Sequence, residues 1–231
     1  MSRSSFIEDV YVVIPCYNEG AVIASVINIL SNSFKNIVVI NDGSTDDTEE
    51  VLNGLDVVQI KHPLNLGQGA AIFTGFEFLK RNTDALACVT FDADGQHSPL
   101  DAVLFAEEIK KCEEDVIFGS RFLGNQNEVP LLKRLVLKGV IKITNFLTNM
   151  SLTDTHNGLK AFKLKALTQL QTNLYRSAFE TELIINIAKS DLSYKELPSR
   201  IVYTEYSRKK GQKLVNGFII VEDLVRMLMK K

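Results

Sequence analysis

The sequence predicts an α/β protein built on a mostly parallel sheet with helices on both faces. Three observations carry that expectation. Short β-branched runs alternate with helical patterns through the first half of the chain. The runs are almost continuously apolar, as strands buried on two faces are. Polar clusters follow three of them, at the carboxyl ends of strands, where open α/β sheets bind ligands.

Strands are expected at Val10–Cys16, Ile37–Ile40, Val57–Ile60, Leu86–Phe91 and Asp115–Gly119. Helical apolar spacing runs through Ala21–Leu30, Asp46–Leu52, Gly69–Arg81 and Leu100–Lys111 between them. The second half is less regular. Leu131–Asn149 reads as a helix carrying Lys133, Arg134, Lys138 and Lys142 and no acid. Thr153–Gly158 is a polar loop, Ala178–Lys189 a helix, Ser193–Tyr203 extended, and Leu214–Lys230 a last amphipathic helix. No repeat, Pro-rich linker or charge block marks a boundary, so residues 1–231 are expected to form one domain.

Composition narrows the function classes. The 45% hydrophobic and 23% charged content is that of an ordinary globular chain. A net charge of −2 gives no global field for nucleic acid. Cys16, Cys88 and Cys112 form no CxxC, and their odd number does not suit a disulfide framework, which favours a reducing compartment. The N-terminus has no long apolar stretch with a cleavage site, and no apolar run reaches the roughly 18–20 residues of a membrane span. His97 and His156 have no zinc-like spacing, and GxSxG and GxxxxGK[ST] are absent.

Asp92-Ala93-Asp94-Gly95-Gln96 is the strongest local signal. Two carboxylates one residue apart, just past a buried strand, offer hard oxygen ligands to Mg²⁺ or Mn²⁺. Taken alone, the segment fits a solvated Asp-Gly turn equally well. Asn41-Asp42-Gly43-Ser44 follows the second strand. Ser44 or Thr45 is expected to cap the next helix, with Asp46 and Asp47 in its first turn. Capping leaves Asp42 unexplained, and a carboxylate there can accept hydrogen bonds from a nucleobase. Asn65-Leu66-Gly67-Gln68-Gly69-Ala70 lacks the third glycine of a dinucleotide fingerprint, although the helix it opens can help to bind an anion.

In order and spacing, these segments resemble family 2 glycosyltransferases of the GT-A fold. The carrying residues are Val13–Glu19, Asn41–Ser44, Asn65–Ala70 and Asp92–His97. Within that family the chain is most similar to the dolichyl- and polyprenyl-phosphate mannose or glucose synthases. Gly119–Phe122, Thr153–Phe162, Phe179-Glu180, Tyr203–Arg208 and Gly211 extend the match to about residues 10–213. The resemblance implies a nucleotide-sugar-binding half over 10–120, an acceptor-side half over 121–213 and the amphipathic helix over 214–231. It implies that Pro15, Tyr17 and Glu19 line the base and ribose, that Asp42 binds the base, and that Gly69 belongs to the donor site. Asp92, Asp94 and Gln96 match the centre that holds the metal, Mg²⁺ or Mn²⁺, and the donor diphosphate. Arg121 and Arg208 would meet phosphates, Asp154 would sit near the acceptor, and Glu180 would hold the sugar or support the acceptor loop.

The implied reaction moves a hexose from a UDP- or GDP-linked donor to a polyprenyl-phosphate-type carrier with inversion. A saccharide hydroxyl in surface-polysaccharide assembly is the alternative acceptor, and Asp154 would then be the general base. A sugar-nucleotide nucleotidyltransferase would need a Gly-rich basic loop that Val13–Gly20 does not offer, and a non-catalytic subunit would not need the intact charged set. Many relatives carry membrane-spanning helices after the catalytic domain, and this sequence has none. Peripheral contact at the cytoplasmic membrane face through Leu131–Asn149, helped by a small membrane-anchor protein, is therefore expected. So is a possible homo-oligomer. Asn41 stands where many relatives have Asp, and His156-Asn157 where a Ser often precedes the glycine.

Overall fold

A computed structural model of the protein describes residues 6–124, 131–170 and 179–202. Strands β1 (Val10–Cys16), β2 (Ile37–Asn41), β3 (Val58–Lys61), β4 (Ala87–Thr90) and β5 (Val116–Ser120) alternate with helices α1 (Gly20–Leu30), α2 (Thr48–Asn53), α3 (Gln68–Asn82) and α4 (Pro99–Lys111). Helix α5 (Leu131–Thr148), strand β6 (Lys160–Lys163), helices α6 (Leu164–Leu167) and α7 (Phe179–Lys189) and strand β7 (Tyr194–Pro198) follow. The expected elements are present with ends shifted by one or two residues, except that Ser193–Tyr203 forms a strand only to Pro198. The Leu214–Lys230 helix lies outside the described residues.

The sheet has seven strands in the order β3-β2-β1-β4-β6-β5-β7. β6 runs antiparallel to both neighbours, and the other pairings are parallel. The strand order reverses between β1 and β4, which opens a crevice at their carboxyl ends. Alternate residues of each strand feed two cores, as the period of two requires. Val12, Ile14, Val39 and Val89 pack under α1 and α4. Val13, Val38, Ile40 and Phe118 pack under α3 and α7, where Phe76, Phe162 and Leu183 fill the space.

Two local expectations are corrected. Ser44 and Thr45 do not cap α2, which starts at Thr48 without a side-chain cap. Ser44 Oγ instead accepts the Asn18 N–H at 2.9 Å, and Asn18 Oδ1 accepts the Thr45 N–H at 2.8 Å. These polar side chains tie the loops after β1 and β2 to each other, satisfying backbone groups that a cap would have left free. The second correction is β6, which the sequence does not announce. Its four residues include two lysines, and its strand state comes from pairing on both sides.

Gly75 measures how closely α3 lies on the sheet. A Cβ there would stand 2.5 Å from Val13 Cγ1 and 3.0 Å from Ile40 Cδ1. Alanine gains about 1 kcal/mol of helix propensity, but overpacking costs about 1–3 kcal/mol. Packing should win. Gly75→Ala is expected to lower the urea midpoint, with a net loss of about 1–2 kcal/mol and an unchanged slope; a raised midpoint would show that the sheet yields.

Candidate active site

A cleft of about 330 Å³ opens at the carboxyl ends of β1, β2 and β4. Pro15, Tyr17 and Glu19 form one wall, Gly67 and Gln68 another, and Asp92 and Asp94 the floor. Tyr17 is 42% exposed, so its ring is available to a ligand. Glu19 is buried, and its N–H donates to Thr48 Oγ1 at 2.9 Å, which fixes the turn into α1.

Asp92 is held from both sides. Gln68 Nε2 donates to Oδ1 at 3.1 Å, and His97 Nε2 meets Oδ2 at 3.0 Å. Burial works against its charge, but the His97 hydrogen bond and the charges of His97, Lys160 and Arg121 outweigh it. Its carboxyl therefore lies below the usual range. Gly158 is packed onto it, where a Cβ would lie 2.1 Å from Oδ2. Asp94 is in the opposite state: burial, then the Asp92 charge, pushes its carboxyl up against hydrogen bonds from Gln96. The Gln96 N–H reaches Oδ1 at 3.0 Å, and its amide nitrogen reaches Oδ2 at 2.5 Å. A divalent cation fits here, because adjacent carboxylates leave excess negative charge in a partly desolvated cleft. Among the described residues no three His, Cys, Asp or Glu side chains converge as a metal cage, so substrate oxygens would have to complete the coordination.

Asp42 is 2% exposed and borders the same cleft. Its Oδ1 meets His62 Nδ1 at 2.7 Å and the Leu66 N–H at 3.0 Å, and its Oδ2 accepts the Gly67 N–H at 2.8 Å. Gly69 does not line the cleft. It faces Phe179, where a Cβ would stand 2.7 Å from the Phe179 Cβ, so glycine lets α3 and α7 touch.

Beyond the cleft floor lie two buried ion pairs. Arg121 Nε donates to Asp154 Oδ2 at 2.6 Å, and the Arg121 guanidinium also reaches the His156 carbonyl. The Arg121 N–H meets the same Asp154 oxygen at 3.0 Å. Lys160 Nζ lies 2.6 Å from Glu180 Oε2 and 2.5 Å from the Asn157 carbonyl. Burial pushes the Glu180 carboxyl up, Lys160 opposes that, and Asp92 and Asp154 add to it. The structure thus brings Pro15, Tyr17, Glu19, Asp42, Asp92 and Asp94 into one cleft, with Gln96 bonded to Asp94. Arg121, Asp154 and Glu180 stand behind it as paired charges. Arg208 lies outside the described residues. Sequence reasoning missed His62, Gln68 and Lys160 as partners of this site, since each acts through a residue at least 20 positions away.

His156 gives a pH signature. Burial lowers its pKa to about 4; Asp154 opposes the shift, while Lys160 and Arg121 add to it. Between that value and the unfolded value of about 6.5, the unfolded chain binds more protons, so the His156 contribution is full above about pH 6.5 and is lost on acidification toward 4. The stability difference between wild type and His156→Asn should therefore fall by up to about 3 kcal/mol across that window. Urea melts at pH 4.5, 5.5 and 7 check this, and parallel curves would contradict it.

Comparison with known proteins agrees with this geometry. The family model for glycosyl transferase family 2 matches residues 11–170. A UDP-N-acetylglucosamine–dolichyl-phosphate N-acetylglucosaminyltransferase of Methanococcus voltae is 35% identical, covering 96% of this chain and 97% of that one. A dolichyl-phosphate beta-glucosyltransferase of Trichomonas vaginalis is 23% identical, covering 93% and 71%. Among solved structures, glucosyl-3-phosphoglycerate synthase from Mycobacterium tuberculosis, in complex with Mn²⁺, UDP and phosphoglyceric acid, superposes with a TM-score of 0.68 at 17% identity, over 94% of this chain and 77% of that one. The mostly parallel sheet with helices on both faces is therefore the GT-A fold, and the chain belongs to glycosyltransferase family 2, beside its polyprenyl-phosphate sugar transferases.

Proposed function

We propose that this glycosyltransferase moves a hexose or N-acetylhexosamine from a UDP- or GDP-linked donor to a polyprenyl-phosphate-type carrier, inverting the anomeric centre. The observation that carries the acceptor class is the Arg121–Asp154 pair. A saccharide hydroxyl must lose its proton as it attacks, which calls for a free base. Asp154, the carboxylate expected for that task, is 1% exposed and bonded to Arg121 Nε and N–H. A phosphate is already ionised at neutral pH and attacks with no base. The names of the Methanococcus and Trichomonas relatives point to the same acceptor.

In this reading an acceptor phosphate oxygen forms the new bond to the anomeric carbon while the bond to the nucleoside diphosphate breaks. Asp94, with the Asp92 charge beside it, would hold Mg²⁺ or Mn²⁺ against the diphosphate. Bound there, the cation supplies charge neutralisation for the leaving group. Gln96 orients Asp94, and Gln68 and His97 orient Asp92. Arg208 would contribute a further cation. The Val202 N–H donates to the Gln96 carbonyl at 2.8 Å, and Arg208 follows six residues on, within about 20 Å of extended chain. Asp94→Asn should lower transfer by at least about 10²-fold with an unchanged melting temperature, and EDTA should abolish transfer. Arg208→Ala should reduce turnover far more than Lys209→Ala. Full activity of Asp94→Asn, or in EDTA, would overturn the metal role, and equal small effects of the two loop variants would overturn the Arg208 assignment.

A lipid carrier stays in its bilayer, so the enzyme must reach a membrane surface. No helix among the described residues is long and apolar enough to cross a membrane. Helix α5 instead exposes Leu135, Val136, Ile143 and Phe146 (the last at 86%) beside exposed Arg134, Lys138 and Lys142. An apolar and basic face suits the interface of an anionic cytoplasmic leaflet. The full chain should co-sediment with phosphatidylglycerol vesicles, and a variant with Arg134, Lys138 and Lys142 changed to Gln and Phe146 to Ser should not. Failure of the wild type to bind, with equal transfer to a water-soluble saccharide, would favour the hydroxyl acceptor.

A further inference from the structure

A buried hydrogen-bonded chain crosses the nucleotide end of the cleft without touching Asp92 or Asp94. His62 follows β3, is 7% exposed, and has both ring nitrogens engaged. Nδ1 meets Asp42 Oδ1 at 2.7 Å, and Nε2 meets Thr74 Oγ1 of α3 at 2.9 Å. A carboxylate only accepts, so Nδ1 carries the proton, and in the neutral ring Nε2 accepts from the Thr74 hydroxyl. The His62 N–H also donates to the Asn41 carbonyl at 2.9 Å.

The Asp42 carboxylate is thereby filled in three of its roughly four acceptor directions. His62 and the Leu66 N–H occupy Oδ1, and the Gly67 N–H occupies one direction of Oδ2. One direction on Oδ2 is left, on a residue that lines the cleft. We propose that His62 is a positioning residue for the donor nucleobase, holding Asp42 so that this last acceptor direction meets a ring N–H. Uracil N3–H and guanine N1–H are donors of that kind. The inference rests on the donor class proposed above and adds the residue on which base affinity depends.

The two amides that resemble histidine separate this role from plain packing. Asparagine sets its nitrogen near the position of Nδ1 and keeps the bond to Asp42; glutamine reaches toward the position of Nε2 and loses it. Binding of UDP and GDP to the full chain is measured by calorimetry, and kcat and donor KM are measured at saturating acceptor. For the nucleotide that the wild type prefers, His62→Gln should weaken binding about tenfold or more and raise donor KM in parallel, with kcat within about threefold. His62→Asn should stay within about threefold of wild type in all three. Thr74→Val, which removes only the far hydroxyl, should weaken binding about threefold.

Equal affinities of the two amide variants would overturn the inference. So would a fall in kcat at unchanged KM, or wild-type affinity in Thr74→Val. In each of these cases the proposed donor class still stands. A wild type that binds neither UDP nor GDP would overturn the proposed function itself, and the inference with it.

Discussion

A carboxylate placed at the end of a buried strand cannot keep its charge alone, and the middle of this sheet is arranged around that constraint. Asp92 leaves β4 between two apolar cores. Removing an unpaired charge from water would cost several kcal/mol. Two cations from separate elements face it, Lys160 from β6 and Arg121 from the end of β5, and His97 from its own loop is hydrogen-bonded to it. Lys160 and Arg121 each have a further partner, so neither is an uncompensated charge itself. Lys160 is paired with Glu180, and Arg121 with Asp154. The result is a layer of alternating charges under the cleft, in which burial and then the Asp92 charge raise the proton affinity of Asp94.

That layer explains the odd strand. A fully parallel sheet would place β5 beside β4, with no chain between them to carry a lysine toward Asp92. β6 enters antiparallel, pairs Lys160 with Thr90 on one side and Phe118 on the other, and starts from a glycine that lies against the Asp92 carboxylate. Thr90 Oγ1 donates to the Gly158 carbonyl at 2.7 Å, which anchors the turn. The 153–158 loop behind the cleft is further tied by Glu196, whose carboxylate accepts the Thr153 and Asp154 N–H groups.

How much of this the sequence discloses depends on whether the signal is local. β1 to β5 were legible because each is a run of apolar, largely β-branched residues whose period and flanking polar clusters can be read within ten residues. The motif residues of the cleft were legible as a set only through the order and spacing that resemble family 2 glycosyltransferases. β6 was not, because a Lys-Ala-Phe-Lys segment has no strand signature and owes its state to partners about 40 and 70 residues away. The capping expectation at Ser44 failed similarly: the side chain met the Asn18 backbone before it could meet its own helix. His62 carries no motif of its own. Its engagement with Asp42 exists only once β2 and β3 are paired.

The two ends of the cleft follow one rule with opposite outcomes. At the end proposed for the nucleotide, the Asp42 carboxylate is given N–H donors from the His62 ring and from two backbone groups until one acceptor direction remains. These donors fix its position and leave that direction for a polar hydrogen. On the side proposed for the acceptor, the carboxylates of Asp154 and Glu180 are instead paired with full cations, Arg121 and Lys160. A transferase whose acceptor arrives as an anion gains from that second arrangement. Bare carboxylates beside the incoming phosphate would repel it, whereas Arg121 and Lys160, each already charge-balanced, keep the region near neutrality. In the proposed reaction, the pairing that engages Asp154 would therefore also lower the electrostatic cost of bringing an ionised acceptor to the anomeric carbon.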